Sequence, residues 1–136
     1  MFQHAYLGDE FCESKIPTLS CLKKQYRSVR EAGLKLMLAS PPSTGRGIAR
    51  LERLFGFLST LDDAADIVIN DYGVLRLLRK KYPMLRPVLG RLMNKMIRDP
   101  RITPALNMPD APPDALASLQ QYGSLPFYKF LREWDI

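Results

Sequence analysis

Apolar and polar positions along this chain follow two different periods, and the switches between them mark the elements. Residues 4 to 7 of "HAYLGDEF" alternate and then turn at Gly8, which predicts a first strand. "TLSCLKKQYRSVREAG" places Leu22, Tyr26 and Val29 at i, i+4 and i+7 and stops at Gly33, the pattern of an amphipathic helix. "LKLMLAS" follows as strand two and ends at Pro41-Pro42, which cannot donate to a strand ladder. "GIARLERLFGFLSTL" returns to the helical period, with Ile48, Leu51, Leu54, Phe55, Leu58 and Leu61 on one stripe. "DIVIN" is strand three, "YGVLRLLRKKY" is helix three up to Pro83, and "LRPVLG" is strand four. A proline in that last strand places it at an edge or makes it start late.

The predicted order is β-α-β-α-β-α-β. Strands that alternate with helices in this way form parallel units joined by right-handed crossovers, which makes the fold class α/β. Beyond strand four the alternation stops. "TPALNMPDAPPDA" is rich in proline and reads as a connection. "SLPFYKFLREW" predicts a final helix, with Ser124 as N-cap and Pro126 in the first turn. The reading is therefore a βα body over residues 1–102, with residues 103–136 as a connection and terminal helix of the same domain.

Composition narrows the class without naming a chemistry. The chain has 136 residues, 46% of them hydrophobic, which suffices for one real core. No apolar run approaches the roughly 18 residues that span a bilayer. The start, "MFQHAYLGDEF", lacks the basic and apolar regions of a secretory signal. Two cysteines then read as reduced thiols, and a cytoplasmic protein without a membrane partner is expected.

The net charge of +6 is concentrated in one window. Between Arg76 and Arg101 stand nine basic residues against the single acid Asp99, a local +8 that leaves −2 for the rest. Such a block can hold phosphates, RNA among them, or it can be a solvated face with long apolar stems.

Polar side chains recur where the predicted strands end. Glu10 and Cys12 follow strand one, Ser40 follows strand two, Asn70 and Asp71 follow strand three, and Arg91 and Asn94 follow strand four. In a barrel or an open parallel sheet these carboxyl ends share one face, where ligands bind. Turns also use Asn, Asp and Ser for backbone reasons, so each residue keeps a structural alternative. For Asp71 that alternative is a cap on helix three, worth about 0.5–2 kcal/mol. The single histidine, His4, precedes the apolar part of strand one, where a packed or solvated role is the ordinary one. No His-Glu-x-x-His pattern is present.

Four stretches carry a family resemblance: "YLGDEFCESK", "AGLKLMLASPP", "DIVINDYGVLRLL" and "LRPVLGRLMNKMIRDPRI". Together with the closing "GSLPFYKFLREWDI", they resemble the collagenase-like peptidase family of unassigned catalytic type, the thirty-second of its class. The nearest members are those of oxygen-independent ubiquinone hydroxylation. The resemblance implies a TIM-like barrel of which this chain supplies the first (βα)4 half, as a fragment or truncated frame. A missing C-terminal half or a second chain would complete the barrel. It implies a role in oxygen-independent hydroxylation; the alternatives are a protein that binds or modifies tRNA or ribosomal RNA, and an inactive remnant. It also implies that Cys12, in "EFCESK", is one ligand of a [4Fe–4S] cluster in the full-length protein, the other thiolates lying outside this chain. An ordinary thiol is the alternative for Cys12. Cys21 matches no ligand of the family and is expected to be a small core residue.

Overall fold

The computed structural model describes residues 2–61, 65–94, 125–134 and 136. The chain divides into two units, Met1–Met93 and Asn94–Ile136. The first contains β1 (His4–Gly8), a 3-10 turn (Glu13–Lys15), α1 (Leu19–Glu31), β2 (Lys35–Ala39), α2 (Gly45–Leu58), β3 (Asp66–Ile69), α3 (Tyr72–Lys81) and β4 (Arg86–Leu89). The second contains α4 (Leu125–Trp134), along which Phe130 stacks on Phe127 and tilts against Trp134. The expected N-cap Ser124 and the proline-rich connection lie outside the described residues.

All four strands form one parallel sheet in the order β1-β2-β3-β4. The register pairs Leu7 with Leu38, Leu38 with Ile67, and Ile69 with Leu89. Because side chains alternate, one face carries Leu36, Leu38, Ile67 and Ile69, all buried. Leu22 of α1, Leu51, Leu54, Phe55 and Leu58 of α2, and Val74, Leu75 and Leu78 of α3 supply the rest of that core. Consecutive helices pack on each other, with Tyr26 edge-on to Phe57 at 6.1 Å and Phe55 edge-on to Tyr82 at 6.0 Å. β3 is buried along its whole length, as a strand between two parallel neighbours must be.

The opposite face carries His4, Tyr6, Lys35, Met37, Asp66, Val68, Arg86 and Val88. It is layered. The amino end is charged, the middle is mainly apolar, and the carboxyl end is polar.

Local chemistry explains where the elements stop. Gly33 follows α1 with φ +70°, donating to the Arg30 carbonyl while Leu34 donates to that of Val29. These are the two hydrogen bonds of a Schellman motif. Thr18 opens α1 by accepting from the Cys21 N–H at 3.2 Å. Thr44, at the start of α2, does not cap with its own side chain. Glu13 takes that place from the 3-10 turn, accepting from the Thr44 N–H at 2.5 Å and hydroxyl at 2.9 Å. Gly47 leaves the space: a Cβ there would stand 2.7 Å from the Glu13 carboxyl carbon.

Among the described strands β4 lies at an edge of the sheet, one of the two placements that Pro87 allows. Arg86 donates to Ala65 and Gly90 to Ile69, so alternate N–H groups face β3 and the Pro87 nitrogen points to the open side.

Cys21 departs from expectation: it is exposed rather than in the core. The buried stripe of α1 runs through Leu22 and Val29, and a neighbour one residue away is rotated about 100° around the helix. No helix among the described residues is long and apolar enough to cross a membrane.

Candidate functional site

Parallel strands deliver their carboxyl ends to one edge of the sheet, and four of the strand-end residues meet there. Glu10, beyond the end of β1, reaches across β2 to the far strands. Its Oε2 accepts from the Asn70 amide at 3.2 Å and from the Arg91 N–H at 2.8 Å. Its Oε1 accepts from Arg91 Nε at 3.1 Å, and the Tyr6 hydroxyl also donates to the carboxylate. Asn70 completes the bridge: its amide donates to the Ser40 carbonyl at 3.1 Å, and its Oδ1 accepts from the Leu92 N–H at 2.9 Å. Ser40 is itself buried, its hydroxyl donating to the Val68 carbonyl at 2.9 Å. Residues from the ends of all four strands thus hold one another.

Two glycines make the approach possible. A Cβ on Gly90 would lie within 2.4 Å of three atoms of the Asn70 amide group. At Gly8, φ is +104° and a Cβ would stand 2.6 Å from the Ala39 carbonyl oxygen, so the turn out of β1 requires glycine.

The electrostatics favour binding over proton transfer. Burial pushes the Glu10 carboxyl up, but the Arg91 N–H, the Tyr6 hydroxyl, the Asn70 amide and the Arg91 guanidinium outweigh it and hold the group below its usual value. A carboxylate with four donors is a poor base. Tyr6 is pushed up to about 12 by its burial, by the hydrogen bond it gives Glu10 and by that carboxylate's charge, so it stays a donor. Arg91 offers more. Its side chain is 73% exposed against 11% for Glu10, and its guanidinium lies 4.7 Å from the centre of the Phe11 ring. One edge of the fork is fixed by Glu10, and the plane is supported by an aromatic.

The remaining candidates are placed differently. Asp71 stands at the same end of the sheet, but its Oδ1 accepts from the Gly73 N–H at 2.6 Å and the Val74 N–H at 3.1 Å. It caps α3, and its other oxygen has a long 3.5 Å contact with the Ser43 N–H. Asn94 is exposed and belongs to the other unit. Cys12 lies in the turn after β1, its thiol 3.0 Å from the Ser14 hydroxyl, which holds it below its ordinary value. His4 stands at the amino end of β1, Cys12 beyond its carboxyl end, so the two form no Cys–His pair. Tyr6, Phe11 and Gly90 are the site residues that the strand-end pattern missed. Tyr6 lies inside a strand, and Phe11 and Gly90 carry no polar group to attract notice.

The turn around Cys12 is organised by Asp9. One oxygen accepts from the N–H groups of Phe11 and Cys12, both at 2.8 Å, and the other from Lys15 Nζ at 2.9 Å. The Lys15 ammonium first, then the two N–H groups, lower its pKa from 3.8 to about 2. A carboxyl depressed in the folded state stabilises above its unfolded value and loses that contribution as pH falls through the folded one. The Phe11 and Cys12 amide resonances are therefore expected to move together between about pH 4 and pH 2. Unchanged resonances across that range would remove Asp9 as the organiser.

Among the described residues, three cations of the basic window are held at different places. Arg86 pairs with Asp66 at the amino end of the sheet, Arg91 with Glu10 at the carboxyl end, and Lys81 with Glu52 of α2 at 2.6 Å. Lys95, Arg98 and Arg101 lie outside the described residues. The described residues contain no group of three or more His, Cys, Asp or Glu side chains that could hold a metal ion. No family model, no curated protein and no solved structure matches the chain.

Proposed function

We propose that this chain is the first (βα)4 half of a TIM-like barrel that takes part in oxygen-independent hydroxylation, with its ligand site at the carboxyl ends of the strands. The observation that carries the barrel reading is the strictly sequential parallel order of the sheet. Doubly wound folds reverse the strand order at a switch point, whereas a barrel adds each strand beside the last. A half barrel leaves two open parallel edges, which a C-terminal half or a second chain would pair. The Glu10–Asn70–Arg91 bridge then lies at the barrel mouth. Its part is to receive a planar or anionic portion of the substrate on Arg91 and Phe11.

A [4Fe–4S] cluster takes four thiolates, and the chain has two cysteines. Cys12 lies in the turn after β1, and Cys21 is exposed in the first turn of α1. These residues do not fit a complete cluster. The part left to Cys12 is a single thiolate in an assembly that brings the others.

Anaerobic iron and sulfide reconstitution of the completed barrel tests this reading. The assembled protein is expected to turn brown, and Cys12→Ser to lose iron. A colourless wild-type assembly would remove the cluster and, with it, the hydroxylation reading.

A further inference from the structure

At the other end of the sheet, away from Glu10, a cavity of about 580 Å³ opens between the amino ends of the strands and the turn that leads from α1 into β2. Its walls include Phe2, His4, Leu34, Lys35 and Arg86. We propose that this cavity binds a small organic anion: one carboxylate, or a group of like charge, on an apolar body.

Three observations point there. The first is charge. His4, Lys35, Asp66 and Arg86 lie on the same face by register. Asp66 is the only acid among them and is 4% exposed, covered by the guanidinium that it binds through Nε at 2.6 Å and Nη2 at 2.7 Å. An entering molecule meets the cations and not the acid.

The second is preorganisation. Both Asp66 oxygens hold Arg86, and the His4 Nε2 stands 3.7 Å from Oδ2 on the other flank. The guanidinium keeps its position before any ligand arrives, which lowers the ordering cost of binding. Its Nη1 is not used by Asp66. Lys35 begins β2, its backbone fixed by the N–H bond to the Gln3 carbonyl at 3.0 Å. Its ammonium can therefore swing over the opening from an anchored base.

The third is the apolar wall. Phe2 is 91% exposed beside the cavity, so its ring packs on little of the chain itself. Leu34 faces the same space. A volume near 580 Å³ falls in the range of small-molecule sites, which combine apolar walls with a few fixed polar groups. A bare inorganic ion would leave that wall wet. An ion carried on an apolar body would use both parts.

The probes are 1-naphthoate, its neutral isostere 1-naphthamide, and 1-naphthyl phosphate, titrated into the 136-residue chain by calorimetry. Amide resonances report the place of binding. Saturable 1-naphthoate binding is expected, with the naphthamide weaker by about tenfold or more, since a charge-assisted contact is lost. Lys35→Ala should weaken 1-naphthoate by a similar factor, while Lys24→Ala, on α1, should not. The largest resonance shifts should fall at His4, Gly33 and Lys35. Comparison with the phosphate separates a carboxylate pocket from one that takes either anion, and saturable binding of either at these residues supports the site. Equal binding of naphthoate and naphthamide would overturn the proposal, as would an indifferent Lys35→Ala, shifts confined to other residues, or no saturation in the millimolar range. Lys35 is exposed, so its substitution tests the site and not the fold.

Discussion

Phe55→Ala is expected to destabilise the fold by about 3–5 kcal/mol, the range for deleting a fully buried aromatic ring. Phe55 is 0% exposed at the centre of the α2 stripe, between Leu51, Leu54 and Leu58, and its ring meets Tyr82 of the α3–β4 turn edge-on. It therefore joins the helix layer to the connection into β4. A domain of this size has a total stability of only about 5–15 kcal/mol, so the loss is a large share of it. Urea unfolding followed by circular dichroism measures the change. Phe55→Leu should retain most of the stability, because apolar volume is largely kept. Phe57→Ala should cost less than Phe55→Ala, since Phe57 is half-buried and rests against Tyr26 and Lys23 at the outer surface. If Phe55 and Phe57 cost the same, the helices do not lie on the sheet as described.

The contrast between those two neighbours shows what the sequence made legible. Period fixes which residue of a pair faces the sheet, because 3.6 residues per turn separates Phe55 from Phe57 by more than half a turn. The same arithmetic exposes Cys21 beside buried Leu22, although cysteine is often a core residue. Strand ends were legible too, since turns and proline break both periods. What composition could not supply was the bridging. Nothing in "GDEF" says that Glu10 will cross to Arg91, 81 residues on, because that distance is set by the sheet and not by local chemistry. The spatial spread of the charge block was hidden for a related reason. Residues adjacent in sequence across a strand go to opposite ends of the sheet, so Arg86 and Arg91 bind different acids. Asp71 was ambiguous on sequence grounds because a cap and a mouth residue occupy the same position in a βα unit; its two short N–H bonds make it the cap.

Asn70 is where the bridge depends most on a single side chain. It is 6% exposed, donates to Ser40 and Glu10, and accepts from Leu92, so it ties the end of β3 to three other segments. Asn70→Ala would leave the Ser40 carbonyl and the Leu92 N–H without that partner. At about 1–3 kcal/mol for each buried polar group left unpaired, and with water able to reach the Leu92 side, a loss of about 2–4 kcal/mol is expected. Asn70→Asp keeps the shape and reverses the chemistry. It would set a second carboxylate where the amide nitrogen stands 3.2 Å from Glu10 Oε2, and it would face the Ser40 carbonyl with an acceptor. At pH 7 the aspartate variant should therefore be less stable than the alanine one. The two like charges raise the new carboxyl's folded pKa above its unfolded value of about 3.9. Such a group binds its proton more tightly when folded, so the deficit relative to alanine should shrink as pH falls through the raised value. Glu10→Gln should relieve it at pH 7, when added to Asn70→Asp, by removing the repulsion. Urea midpoints of the single and double variants at pH 7 and pH 5 read all of this. An aspartate variant at least as stable as the alanine one, and flat with pH, would mean that Asn70 and Glu10 do not meet and that the strand ends are not joined at the mouth.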